Sequence, residues 1–273
     1  MQTAQSLAQM CGLPKLEARM LLEHVLEKSR EWLLAHDTDP ITPEQAASFL
    51  TLAAQRRQGT PMAYLVGVRE FMGHRFEVSP DVLIPRPETE LLVELVLKSC
   101  LGMPKPRVLD LGTGSGAVAI SVALARPDAM VVASDQSAAA LSVAQRNAHA
   151  QRARVQFWQG NWYEALPSEG QFDVIVSNPP YIALSDVHLT QGDLRFEPRQ
   201  ALTENADGLS ALRIIAAGAI AHLAPGGFLW LEHGFEQGAE VAAMLETAGF
   251  QHVQTFPDLA GLPRATGGTL RNI

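Results

Sequence analysis

From Arg107 onward the sequence alternates short apolar runs with stretches of helical character: "RVLDLG", "AVAISVALARP", "AMVVASD", "AALSVAQRNAHA", "RVQFWQG", "FDVIVSNPP", "SALRIIAAGAIAHL" and "GFLWLEHG". Strands that read as near-continuous apolar runs are buried on both faces, and strand-helix alternation builds a parallel sheet with helices on either side. An α/β domain with a doubly wound, mostly parallel sheet is therefore expected from residue 85 to 273.

Residues 1 to 60 carry no strand signal and read as a small all-α domain. "KLEARMLLEHVLEKSREWLLAH" places Leu16, Met20, Val25 and Leu26 near one helical face, and a second helix opens with Thr42 as N-cap and Pro43 at its first position. Between these parts, "YLVGVREFMGHRFEV" has two short alternating stretches around Met72, Gly73 and His74, the signature of a β-hairpin, so residues 61–84 are expected to be a hairpin linker.

At 273 residues and 47% hydrophobic content, the chain can bury one large core, or one core and a satellite. The N-terminus lacks a basic stretch followed by an apolar one, and no run reaches about 18 apolar residues, so a cytoplasmic protein outside the membrane is expected. Cys11 and Cys100 stand in no metal-ligand spacing and read as reduced thiols. No metal is expected. A net charge of −8 argues against non-specific binding to nucleic acid. Nothing reads as a subunit interface, so a monomer is the expectation.

"VLDLGTGSGAVAI" runs from a strand through a glycine-rich turn into a helix, where backbone amides and a helix N-terminus can approach a ligand closely. Gly112, Gly114 and Gly116 leave room for that approach. Asp135 ends the next strand, where a carboxylate can accept hydrogen bonds from both ribose hydroxyls of a nucleoside. The glycine spacing does not suit a pyrophosphate, and Asp110 at the strand end would repel one while attracting an ammonium group. S-adenosylmethionine, an adenosine carrying an amino acid, fits better than NAD. Asp110 reads equally as a cap on the following turn. Trp162, after the third strand, can stack on an adenine or simply cover the sheet edge.

"SNPPYIALS" ends the fourth strand. Pro179 and Pro180 stop the ladder and remove two amide protons, leaving carbonyls as acceptors in a stiff turn. Asn178 adds a side-chain oxygen. Two convergent acceptors match the two protons of a planar amino group, over which Tyr181 can close. Such a loop positions an NH2 group for methyl transfer without a covalent enzyme intermediate. His74 and His233 have no visible catalytic partner, and Arg56 and Arg57 read either as a pair for an acidic partner or, preferably, as a solvated helix end.

"NPPY" with "DLGTGSG" resembles the class I, Rossmann-like S-adenosylmethionine-dependent amino-methyltransferases. "RRQGTPMAYLVGVREFMGHRFEV", "LIPRPETELLVE" and "DLAGLPRATGG" resemble one branch, the protein-(glutamine-N5) methyltransferases of class 1 peptide-chain release factors. The resemblance implies a substrate glutamine in a Gly-Gly-Gln loop, a helical domain that helps to hold the release factor, and S-adenosylhomocysteine as the product. Carried over by position, it implies that Gly112, Thr113, Gly114, Ser115, Gly116, Asp135, Trp162 and Asn178 line the cofactor. Asn178, Pro179, Pro180 and Tyr181 would surround the glutamine amide. Arg86, Glu88 and Glu90 in "PRPETE" are expected to fold over the site, or to be an ordinary helix start. Two alternatives use the same features: an adenine-N6 or guanine-N2 nucleic-acid methyltransferase, and a non-catalytic nucleoside-binding scaffold.

Overall fold

The computed structural model describes residues 2–166, 170–203 and 207–271. The chain divides into two compact units, one made of Met1–Val68 with Gln191–Phe196, the other of Arg69–Thr190 with Glu197–Ile273.

The first unit is helical: α1 (Ala4–Met10), α2 (Lys15–Leu26), α3 (Arg30–His36), α4 (Pro43–Arg57) and α5 (Met62–Val66). Thr42 caps α4 as its sequence predicts, accepting from the Gln45 amide while the Gln45 side chain returns to the Thr42 amide. The stretch from Lys15 to His36 forms two helices, because Glu27 adopts a left-handed conformation and Ser29 caps a new one. The buried face matches the expected one at Leu26 and Val25 and differs elsewhere. Ala18, Leu21, Leu22 and Leu26 pack into the core while Leu16 is 57% exposed, since spacings of three and four from Ala18 converge on one stripe and Leu16 falls outside it. Arg56 is not a solvated end, whereas Arg57 is exposed as expected. Arg56 grips Glu17 through two bonds of 2.9 and 2.8 Å, and Arg57 donates to the Cys11 carbonyl at 2.6 Å.

Tyr64 to Val66 lie in α5, not in a hairpin strand, because Leu65 packs into the helical core and left-handed Gly67 ends the helix. The hairpin proper is β1 (Val68–Phe71) and β2 (His74–Glu77). In the second unit, Glu90 Oε1 accepts the Met72 amide in the hairpin turn at 2.7 Å, which gives this carboxylate of "PRPETE" a structural task.

The second unit is a seven-stranded sheet of β3 (Arg107–Leu111), β4 (Met130–Asp135), β5 (Val155–Gln159), β6 (Phe172–Ser177), β7 (Leu223–Glu232), β8 (Phe250–Pro257) and β9 (Pro263–Leu270). Its order is β5-β4-β3-β6-β7-β9-β8, parallel except where β9 pairs with β7 and β8. Helices α6 (Glu90–Ser99), α7 (Ala117–Ala125), α8 (Ala138–Gln151), α10 (Ser210–His222) and α11 (Gly238–Thr247) accompany it, with a short α9 (Arg199–Leu202). Val108, Val174, Val176 and Trp230 face α6 and α7 on one side, while Leu109, Ile175, Leu229 and Leu231 face α10 and α11 on the other. Strands buried on both faces are the reason for the continuous apolar runs. The chain steps outward from β3 to β4 and β5, then returns to β6 on the opposite side of β3. That reversal opens a crevice at the carboxyl ends of β3 and β6, where ligands bind in such sheets.

The antiparallel pair β8 and β9 escaped the sequence reading. Gly267 and Gly268 hide a strand, yet a side chain at 267 would collide with the Leu229 carbonyl and the Trp230 ring, so the glycine makes room for the neighbouring strand and that indole.

Candidate active site

Four strands deliver residues to the crevice: Gly112 follows β3, Asp135 ends β4, Trp162 follows β5 and Asn178 follows β6. Ser177 locks the switch point, its hydroxyl donating to the Leu111 carbonyl at 2.7 Å where the β3–β6 ladder stops.

The glycine turn is built from all three left-handed glycines, Gly112 (φ 72°), Gly114 (φ 55°) and Gly116 (φ 82°). The Gly112 and Thr113 amides both donate to the Ser134 carbonyl at 2.9 Å, which pins the turn to β4. Asn147 of α8 fastens its other end, donating to the Ser115 carbonyl at 2.9 Å and exchanging bonds with Glu77 of β2. A side chain at Gly114 would meet nothing within 4 Å, so the backbone there is bare toward the cleft; at Gly112 it would press on the Trp162 ring at 3.3 Å.

Two adjoining hollows share this edge. The first, about 670 Å³ with its open mouth, is bounded by Gly112, Gly114, Asp135, Trp162, Asn178 and Pro180. The second holds Asp110, Thr113, Ser115, Arg86 and Thr89, again with Asn178. Gly116, Pro179 and Tyr181 line neither. Gly116 caps α7 against Ile120 and Ala144. Tyr163, by contrast, is a packing residue, its hydroxyl on the Ile215 carbonyl and its ring stacked on His222.

Asp135 accepts the amides of Gly114 and Ser137, each at 2.9 Å, and burial raises its pKa against those bonds. Asp110 is buried, accepts from Thr113 Oγ1 at 2.6 Å and the Ala119 amide at 3.3 Å, and burial pushes its carboxyl up to about 6. Both sequence readings of Asp110 thus have a basis: it caps the turn, and it lines the second hollow. Arg86 at that hollow donates to buried Glu197, whose other oxygen takes the Ile84 amide at 3.0 Å.

The Asn178–Tyr181 loop is held at both ends. Asn178 Nδ2 donates to Thr89 Oγ1 at 3.1 Å, and among the described residues nothing donates to Asn178 Oδ1. The Tyr181 hydroxyl donates to Glu232 Oε1 at 3.2 Å, while Gln237 Nε2 donates to the Tyr181 carbonyl at 3.0 Å. Glu232 is 1% exposed, and burial pushes its carboxyl up to about 7. Burial and the neighbouring carboxylate also push the Tyr181 phenol well up, so it is a neutral donor. His233 is a satisfied core residue, bonded to Thr266 Oγ1 at 2.7 Å and the Gly234 carbonyl at 2.8 Å. Thr89, Glu232, Gln237 and Asn147 were not singled out from sequence, although a carboxylate closing the apolar run "GFLWLEHG" was a signal.

The donor set suits S-adenosylmethionine: bare backbone and a carboxylate for a nucleoside, an indole beside them, and a second buried carboxylate one hollow away. No lysine or arginine bounds the first hollow among the described residues, which disfavours a pyrophosphate there.

Comparison with known proteins gives a consistent result. Residues 87–205 match the methyltransferase small domain and residues 1–67 match the PrmC N-terminal domain. The chain is 60% identical over 259 residues to a release factor glutamine methyltransferase of Bordetella pertussis, covering 95% of this chain and 96% of that one. Proteins of the same name from Burkholderia pseudomallei (52%, covering 98% and 96%) and Neisseria gonorrhoeae (56%, covering 94% and 93%) are also similar. Among solved structures, a T. thermophilus 16S rRNA N2 methyltransferase in complex with AdoMet and guanosine is 25% identical with a TM-score of 0.56, covering 75% of this chain and 50% of that one. A Pyrococcus furiosus methyltransferase shares the fold at 20% identity and a TM-score of 0.55, covering 85% and 100%.

Proposed function

This chain belongs to the release factor glutamine methyltransferases, and from that premise we propose that it methylates the side-chain amide nitrogen, N5, of the glutamine in a Gly-Gly-Gln loop of class 1 release factors. It is an S-adenosylmethionine-dependent enzyme.

One observation carries the reading of the site: Asn178 borders both hollows. With the nucleoside against Asp135 and Trp162 and the amino-acid end toward Asp110, whatever joins the two ends lies beside the residues common to both. S-adenosylmethionine supplies an electrophilic methyl group on a sulfonium. The protein's share is to present the nucleophile. An amide NH2 has a delocalised lone pair, and two acceptors on its protons, Asn178 Oδ1 from the hollows' common edge and the carbonyl of Pro179, which lines neither hollow itself but follows Asn178 directly, would orient the nitrogen and favour pyramidalisation. Pro179 and Pro180 contribute no competing N–H donor. Pro180 borders the first hollow, and Tyr181, tied at its hydroxyl and carbonyl, stiffens the loop's exit. Thr113 and Ser115 belong to the amino-acid side, Gly112, Gly114 and Gly116 to the turn that makes room. The helical unit is proposed to help hold the release factor, and the enzyme to act as a monomer. No helix among the described residues is long and apolar enough to cross a membrane.

The test is incubation with radiolabelled S-adenosylmethionine and, in parallel, purified release factor, tRNA and DNA. Label on the release factor, lost when its loop glutamine is replaced, supports the reading. Label on nucleic acid alone overturns it, and label on nothing favours a non-catalytic scaffold.

A further inference from the structure

Asn178 can hold an amide proton only if its oxygen faces the target, yet an asparagine side chain presents oxygen and nitrogen with nearly the same shape. Something must choose. Its nitrogen donates to Thr89 Oγ1, and a hydroxyl has a single hydrogen. If that hydrogen is committed elsewhere, Thr89 can only accept from Asn178, and the amide cannot turn over. The neighbour available to take it is Glu232. Its Oε1 is engaged by Tyr181, whereas its buried Oε2 has no hydrogen-bond partner among the described residues, and the Thr89 hydroxyl is one of the groups that favour its charged form. Thr89 and Glu232 are 5% and 1% exposed, so water does not readily replace either partner.

We propose that Thr89 and Glu232 are positioning residues: ionised Glu232 draws the Thr89 hydrogen, and Thr89 in turn fixes the Asn178 amide with its oxygen toward the target. This rests on the reading of Asn178 as an acceptor for the target amide. The same carboxylate holds Tyr181, so one buried charge sets both ends of the loop. When Glu232 is protonated it becomes a donor, Thr89 can turn its hydrogen toward Asn178, and the amide is free to flip its nitrogen to the target, where it repels an NH2 group. Glu232 is surrounded by charges of both signs: Arg264 from β9 favours ionisation, while Glu88 from the turn before α6 opposes it. Arg264 is itself shared with Asp258, and His233, the next residue, bonds to Thr266. Burial dominates and pushes the carboxyl up to about 7. The orienting form is therefore lost as pH falls through that value.

The test uses the full chain with Thr89→Val, Thr89→Ser and Glu232→Gln. Single-turnover methylation of a release factor at saturating S-adenosylmethionine should fall about 10- to 100-fold in Thr89→Val and recover to within about fivefold of the parent in Thr89→Ser. The parent rate should rise with pH through about 7, and Glu232→Gln should lack that rise. A second readout needs no turnover: the side-chain NH2 resonance of Asn178, assigned by its loss in Asn178→Ala, should move with the same pH midpoint. It should shift in Thr89→Val and be insensitive to pH in Glu232→Gln. Parent-like turnover in Thr89→Val, or an unchanged Asn178 resonance there, overturns the proposal. A parent that labels no release factor overturns the function proposed above instead, while the resonance still decides whether Thr89 orients the amide.

Discussion

Asp135 reaches back to the glycine turn, its Oδ2 accepting the Gly114 amide at 2.9 Å while its Oδ1 takes that of Ser137. The carboxylate proposed to receive the ribose is thus also a brace for the turn that makes room for it. Asp135→Ala should lose both contributions and weaken S-adenosylmethionine by about 3 kcal/mol or more, beyond the roughly 1.5 to 3 kcal/mol of one bond to a charged group. Asp135→Asn, which keeps one acceptor, should lose less. Calorimetric titration checks this, and parent-like affinity in the alanine variant would remove Asp135 from the ribose.

Gly114 and Gly116 separate binding from folding. Gly116 has φ 82°, and a Cβ there would stand 2.7 Å from Ile120 and 3.1 Å from Ala144, so Gly116→Ala should cost about 2 to 4 kcal/mol of stability from strain and overpacking together. At Gly114 a Cβ meets nothing, so Gly114→Ala should cost about 1 kcal/mol, the left-handed penalty alone, yet obstruct the cleft. Thermal melting with cofactor titration on both variants distinguishes the roles.

Trp162→Ala should weaken the cofactor by about 1 to 3 kcal/mol, the usual worth of a base on an aromatic ring, and Trp162→Phe should recover most of it. An unchanged Kd in the alanine variant would return Trp162 to the bland role of covering Gly112.

Asp110 gives a pH signature of opposite sign in stability and in binding. Its folded pKa, about 6, lies above the ordinary 3.8, so its contribution to stability is complete below about 4 and is lost as pH rises through 6. Asp110→Asn should therefore gain on the parent between pH 4 and 7, by up to about 3 kcal/mol. An ammonium beside Asp110 favours the charged form, so S-adenosylmethionine should bind more tightly as pH rises through 6 and release protons on binding. Denaturant titrations and calorimetry in two buffers measure the two trends. Affinity flat from pH 5 to 7 would take Asp110 away from the ammonium.

Deleting residues 1–60 should leave cofactor affinity within about threefold, because Gly112, Asp135 and Asn178 all belong to the sheet unit, and should slow methylation of an intact release factor. Parent-like methylation by the truncated chain would end the docking role of the helices.

The fold was legible where a local pattern carried it. The central parallel strands β3 and β6 announced themselves because burial on both faces leaves mostly apolar residues, and the α4 cap because Thr42 and Gln45 bond within one turn. Contacts made across the fold left no local trace. Nothing between Asn178 and Thr89, 89 residues apart, marks them as partners, and Glu232 reads as one charge closing a strand until Tyr181 meets it. The face of α2 was read correctly at Val25 and Leu26 but not at Leu16, because residues spaced for one helical stripe are chosen by what packs against them, which the helix itself does not specify. Strand β9 was missed because Gly267 serves the bulk of Trp230, a residue 37 positions earlier, and Gly268 lies against the Gln251 carbonyl of β8.

Gln191–Phe196 groups with the helices although it follows Tyr181 and precedes Gln200, and Arg195 donates to the Gln58 carbonyl at 2.9 Å while Asp193 stands 3.6 Å from Arg56. A ribosome that has made the first 68 residues has therefore not finished the helical unit; its remaining piece is translated only after β6. Domains are usually expected to fold in order of synthesis, N-terminal first. Here the N-terminal helices emerge early and incomplete, and on the nascent chain they reach their final form only once most of the parallel sheet is already outside the exit tunnel.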